Sequence, residues 1–136
     1  MLDRFPRAAI EEIVGKLLAF VIEDEEGIAT VSEAAMQTAG FDTEVIRDGN
    51  TALARLTEVA PALVLLDLNL PGVSGLDILN QIRTDPRLKE TKVIIVTGDP
   101  VGAEPVNELA DLVVIKPFSF DQLHDFALRM TSSATE

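Results

Sequence analysis

The chain has 136 residues, 47% of them apolar, no cysteine, and a net charge of −12 from 23 acids against 11 bases. That length and composition describe one domain with a real core, exclude disulfides and thiolate chemistry, and count against binding a nucleic-acid backbone, which needs clustered cations. No apolar run approaches the ~20 residues of a membrane span, and the N-terminus lacks a signal-peptide pattern, so a cytoplasmic protein with neither nucleic-acid nor membrane partners is expected.

An amphipathic helix is expected over Arg4 to Val14, with Pro6 in its first turn and Glu11 and Glu12 off the apolar stripe. Leu17 to Ile22 is a short apolar run and reads as a buried strand; it ends in four consecutive acids, Glu23 to Glu26. From Glu26 to Ala39 the apolar residues recur at three- and four-residue steps, which predicts a helix stopped by Gly40. Thr43 to Ile46 is a second strand. Asn50 is expected to cap a helix through Val59. Leu63 to Asp67 is a third strand: branched apolar residues ending in one carboxylate, then Pro71 and Gly72. A helix carrying Leu76, Ile78, Leu79 and Ile82 ends at Asp85-Pro86. Val93 to Thr97 and Leu112 to Lys116 are the fourth and fifth strands, almost all β-branched. Ser119 is expected to cap a last helix bearing Leu123, Phe126, Ala127 and Met130, with a frayed polar tail from Thr131.

Strands this apolar, alternating with helices, imply a parallel sheet covered on both faces: an α/β doubly wound fold. In such a sheet all strand C-termini share one edge, where open α/β folds place their ligands. Glu23 and Asp24 lie there after the first strand, Asp67 after the third, Thr97 after the fourth and Lys116 after the fifth. Three carboxylates, a hydroxyl and an ammonium therefore converge from four strands. Each alone is an ordinary polar strand end; their regular alternation with the helices argues for a site.

These positions carry a resemblance. Ile22-Glu23-Asp24, Asp67 with Pro71 and Gly75 at D-x-x-x-P-x-x-x-G spacing, Thr97-Gly98, and Lys116-Pro117-Phe118 resemble a two-component response-regulator receiver domain over roughly Leu17 to Met130; Thr97 follows Asp67 by thirty residues, as is usual in that family. The resemblance implies a flavodoxin-like five-stranded sheet in the order 2-1-3-4-5. It divides the chain into an N-terminal extension (1–16), the receiver (17–131) and a tail (132–136). It further implies Mg2+ (or Mn2+) held by Asp24 and Asp67, by Glu23 through water and by the backbone carbonyl of Asn69. Asp67 is then the phospho-acceptor, attacking a phosphohistidine on a sensor histidine kinase or histidine phosphotransfer protein, with Lys116 neutralising charge and Thr97 bonding the attached phosphoryl group. Such a protein catalyses its own phosphorylation and dephosphorylation and is not a conventional enzyme; acting alone, without an effector domain, it would signal to a downstream protein.

Two departures stand out. Lys116 follows Thr97 by only nineteen positions, fewer than usual in the family, and the segment Gly98 to Val106 is full of helix breakers, so the helix between the fourth and fifth strands is expected to be short, displaced or mobile. Val113 stands where many receivers carry an aromatic switch residue. Phosphorylation is then expected to act by ordering the Gly98–Val106 loop, the face that meets a partner. His124 is expected at the surface of the last helix and Phe118 and Phe120 in packing. Two other readings carry different chemistry: a pseudo-receiver, an interaction module without phosphotransfer, which the intact acids, Thr97 and Lys116 disfavour; and a Mg2+-dependent phosphohydrolase, disfavoured because Asn69 stands where a second acid would be needed.

Overall fold

A computed structural model describes the backbone of residues 17–135 and the side chains of 17–130; the expected helix over Arg4 to Val14 lies outside the described residues. The elements run β1 (Leu18–Ile22), α1 (Glu26–Thr38), β2 (Asp42–Ile46), α2 (Gly49–Glu58), β3 (Leu63–Asp67), α3 (Gly75–Thr84), a 3-10 turn (Pro86–Leu88), β4 (Lys92–Thr97), a second 3-10 turn (Glu104–Val106), β5 (Leu112–Ile115) and α4 (Phe120–Thr135). Where fraying is expected from Thr131, the backbone stays helical to Thr135.

All five strands pair in parallel in the order β2-β1-β3-β4-β5. Their side chains alternate between two cores, as a period of two dictates. Phe20, Ile22, Val64, Leu66, Val93 and Ile95 face α2 and α3. Ala19, Val21, Leu63, Leu65, Ile94 and Val96 face α1 and α4. Both faces of β1, β3 and β4 are buried, which is why these three strands read as unbroken apolar runs.

The helix ends follow from local chemistry. After α1 the N–H of Gly40 reaches Gln37 O and that of Phe41 reaches Met36 O, with Gly40 at φ 103°, the left-handed closure that favours glycine. The cap of α2 is Asp48 rather than the expected Asn50: Asp48 is extended (φ −149°, ψ 159°), and its carboxylate accepts from Thr51 N and Thr51 Oγ1. In Asp48-Gly49-Asn50 all three residues suit a helix start, and the pairing with Thr51 selects the first. Ser119 caps α4 as expected, its Oγ accepting from Gln122 N.

The segment between β4 and β5 holds no helix longer than the 3-10 turn Glu104–Val106, with Pro105 in its first positions. It is nevertheless hydrogen-bonded throughout, Ala103 N to Asp99 O, Glu104 N to Val101 O and Val106 N to Ala103 O. Ala103 and Val106 are buried in the core that α2 and α3 share with the sheet, so two side chains cover the sheet there. The far end is fixed by Arg83 of α3. Its guanidinium donates to Leu109 O (2.7 Å), Thr91 O (2.8 Å) and Asp111 Oδ2 (2.9 Å), and Asp111 also accepts from Val93 N (2.7 Å). No described helix is long and apolar enough to cross a membrane.

Candidate functional site

The site lies at the C-terminal edge of the sheet and is built strand by strand. As β1 ends, Glu23 N donates to Ile46 O (3.0 Å), which continues the sheet pairing one residue further. The Glu23 side chain turns inward, 3% exposed as a residue, and its Oε2 accepts from Glu25 N at 3.2 Å. Asp24 is exposed. Its carbonyl receives both Nε (3.2 Å) and Nη2 (2.6 Å) of Arg47, the residue following β2.

Asp67 closes β3 and is 4% exposed. Asn69 N donates to its Oδ1 at 3.0 Å, and Lys116 Nζ donates to its Oδ2 at 3.3 Å. The loop behind it is tight. A Cβ on Gly75 would stand 2.6 Å from Leu68 Cα and 2.7 Å from the carbonyl oxygen of Asp67, so only glycine lets α3 start this close to the strand end. Ser74 caps that helix by accepting from Asp77 N.

Thr97 ends β4 and is buried; its Oγ1 accepts from Asp99 N at 3.1 Å. Asp99 in turn folds the following turn, its Oδ1 accepting from Val101 N (3.1 Å) and Gly102 N (3.0 Å). A hollow of about 180 Å3, lined by Asn69, Ser74, Leu76, Thr97, Asp99 and Pro105 among others, opens between this turn and the β3–α3 loop. From β5, Lys116 N donates to Thr97 O (2.8 Å), and the Lys116–Pro117 peptide is cis. The ammonium bridges the two buried acids, 3.3 Å from Glu23 Oε1 and 3.3 Å from Asp67 Oδ2.

The electrostatics follow from that crowding. Carboxylate oxygens of Glu23, Asp24 and Asp67 lie within 4.8 Å of one another. Burial, reinforced by the hydrogen bond and charge of Asp67, pushes Glu23 up to about 7, against the opposing pull of Glu25 N–H and Lys116. Burial works against the charge on Lys116, but Asp67 and Glu23 outweigh it and hold the ammonium above its ordinary range. A set of hard oxygen donors held this close, with one acid driven to keep its proton, fits a divalent cation such as Mg2+, which would offset the repulsion among the carboxylates.

Every site residue expected from the sequence is therefore at this edge. Glu23, Asp24, Asp67 and Lys116 form one cluster, Thr97 joins it through the backbone of Lys116, and Asn69 contributes its N–H to Asp67. His124 sits elsewhere, stacked on Phe120 (5.9 Å between centroids) and 3.8 Å from Asp125. Two residues escape a reading of strand ends. Asp99 is two positions past a strand, and Arg47, at the end of β2, looks like any solvated cation until the neighbouring strand is beside it.

The sequence profile of the response regulator receiver domain matches residues 19–127. The chain belongs to the response-regulator receiver family. It is 36% identical over 106 residues to the phosphate regulon transcriptional regulatory protein PhoB of Rhizobium meliloti, an alignment covering 76% of the chain and 47% of PhoB. This receiver thus spans about half the length of that curated relative. Among solved structures it resembles the BeF3-activated DrrB receiver domain (28% identity, TM-score 0.76, covering 85% of this chain and 97% of that one). It also resembles the Mn(2+)-bound form of response regulator Rcp1 (26% identity, TM-score 0.70, covering 88% and 95%).

Proposed function

We propose that this receiver accepts a phosphoryl group on Asp67 from a phosphohistidine of a sensor histidine kinase or histidine phosphotransfer protein, and passes the change to a partner through the Gly98–Val106 segment. The observation that carries the reading is the position of Lys116: one ammonium 3.3 Å from the carboxylates of both Glu23 and Asp67. A purely structural acid pair would not need a strand-end cation aimed at a buried carboxylate whose other oxygen is already oriented by Asn69 N–H.

The step is a displacement at phosphorus. A carboxylate oxygen of Asp67 forms the P–O bond as the P–N bond to the donor imidazole breaks, and the imidazole leaves with its electron pair. Lys116 neutralises charge on the phosphoryl oxygens in flight, and the buried walls of Glu23 and Thr97 keep the group oriented. Glu23, Asp24, Asp67 and the Asn69 carbonyl would hold Mg2+ or Mn2+, which when bound supplies charge neutralisation for the transferred group; the Mn(2+)-bound form of Rcp1 supports this choice. The Thr97 hydroxyl turns to a phosphoryl oxygen once the group is attached.

That turn bears on output. The sequence suggests a loop that phosphorylation orders, but Gly98–Val106 is already hydrogen-bonded. The switch we infer is a change of partner: Thr97 leaves Asp99, and the turn built on the Asp99 carboxylate is released to repack. Val113, half-buried against the same core as Ala103 and Val106, has no swinging ring to contribute.

Incubation with acetyl phosphate and Mg2+ followed by intact mass measurement tests the reading. One added phosphoryl group, absent in Asp67→Asn, is expected. No adduct would leave an interaction module without phosphotransfer, and multiple turnover of varied phosphoesters would indicate a hydrolase.

A further inference from the structure

We propose that Arg47 is a positioning residue for the cation site: it fixes the backbone of Asp24 so that this exposed carboxylate stays beside those of Glu23 and Asp67. The proposal rests on the receiver reading and extends it to a residue outside the acid cluster.

The turn from β1 into α1 has few anchors of its own. The cap position of α1 is Glu25, whose side chain makes no capping hydrogen bond, whereas α2 and α3 are fixed by Asp48 and Ser74. Glu23 is held at both ends, by Ile46 O and by Glu25 N. Among the described residues the Asp24 side chain has neither a hydrogen bond nor an ion pair, so no contact of its own keeps this exposed carboxylate within 4.8 Å of the two buried acids. What restrains Asp24 is its carbonyl, which takes two N–H groups from one guanidinium. Two donors on a rigid planar fork fix the orientation of a peptide unit as a single flexible ammonium cannot.

The sign of the effect separates this role from simple charge. A guanidinium near three carboxylates competes with a bound cation for their field, so if Arg47 acted only through its charge, removing it would tighten Mg2+ binding. If it acts by holding Asp24, removing it loosens a ligand and weakens binding, by about tenfold as is typical for partners that orient metal ligands.

The experiment is a calorimetric Mg2+ titration of the full chain at pH 8 for the wild type, Arg47→Ala and Arg47→Met. The methionine keeps the aliphatic stem and removes the fork, and covers the case in which the alanine variant is poorly folded. Unfolding midpoints in EDTA report any general loss of stability. Both variants are expected to bind Mg2+ about tenfold more weakly, with midpoints in EDTA close to the wild type. Binding as tight as the wild type, or tighter, overturns the role of Arg47 and leaves the receiver reading intact. A wild type that binds no Mg2+ overturns the receiver reading, and the role of Arg47 with it.

Discussion

The hydroxyl of Thr97 accepts the backbone N–H of Asp99 at 3.1 Å, and the Asp99 carboxylate then accepts the N–H groups of Val101 and Gly102. One side chain at the reactive edge thereby sets the conformation of a surface turn. We expect amide exchange at Val101, Gly102 and Ala103 to rise on phosphorylation or on binding a phosphoryl mimic, as the turn is released. Thr97→Ala should raise exchange there without any phosphoryl group and blunt the further response. Unchanged protection in the phosphorylated wild type would mean that the signal leaves by another surface.

The pH dependence follows from Glu23. Its folded value, about 7, lies above the ordinary carboxylate value of 4.5, so between those values the folded protein keeps a proton that the unfolded chain has lost. The contribution of this group to stability is therefore fully present below about pH 4.5 and is lost as pH rises through about 7. In EDTA, urea midpoints should fall over this window more steeply for the wild type than for Glu23→Gln. Binding of Mg2+ must release the proton, so the cation should stabilise the protein more at pH 8 than at pH 6. Parallel profiles for the two proteins would show that Glu23 is not the group responsible.

Arg83 ties the carbonyl of Thr91 to the carbonyl of Leu109 and the carboxylate of Asp111, and Arg83→Ala removes a charged donor from each of these oxygens, leaving Asp111 Oδ2 with only the N–H of Val93. A loss of about 2 kcal/mol is expected, in the range for hydrogen bonds to charged groups, read from denaturant unfolding. Because the anchored residues lie at Leu109 and Asp111, exchange should rise at Leu109 to Val113 and stay unchanged at Val101 and Gly102. Equal loosening of both ends would mean that the β4–β5 connection moves as one piece.

How far the sequence reveals this molecule differs from place to place. Leu63 to Asp67 discloses its role because burial on both faces leaves no polar position in a strand, and a lone acid at its end is then conspicuous. The gathering of Glu23, Asp67, Thr97 and Lys116 follows from that kind of pattern, whereas the strand order comes only from the resemblance to the family. Asp48 was hidden by its neighbours, since Asp, Gly and Asn all suit a helix start and the hydrogen bond to Thr51 decides among them. The breakers in Gly98 to Val106 announce the loss of a long helix. They do not announce that Ala103 and Val106 fill the vacated place, because two apolar residues among prolines and glycines carry no period. Arg47 is illegible for a different reason: its partner is a main-chain carbonyl on an adjacent strand end, a contact that exists only once the sheet is assembled.

Gly75→Ala should be poorly tolerated, costing about 1–3 kcal/mol as forced overpacking does, because its Cβ would press on Leu68 Cα and the carbonyl of Asp67. A melting temperature equal to the wild type's would show that α3 can retreat. The contact also has a mechanical meaning. On the α3 side Asp67 is backed by an unyielding wall, helix start against strand end with no room for even a methyl group. A group added to Asp67, as proposed, would find no give in that direction, and the turn that hangs from Thr97 lies on the other side of the site. Recoil on one side is blocked, so the push we propose has to be taken up away from α3.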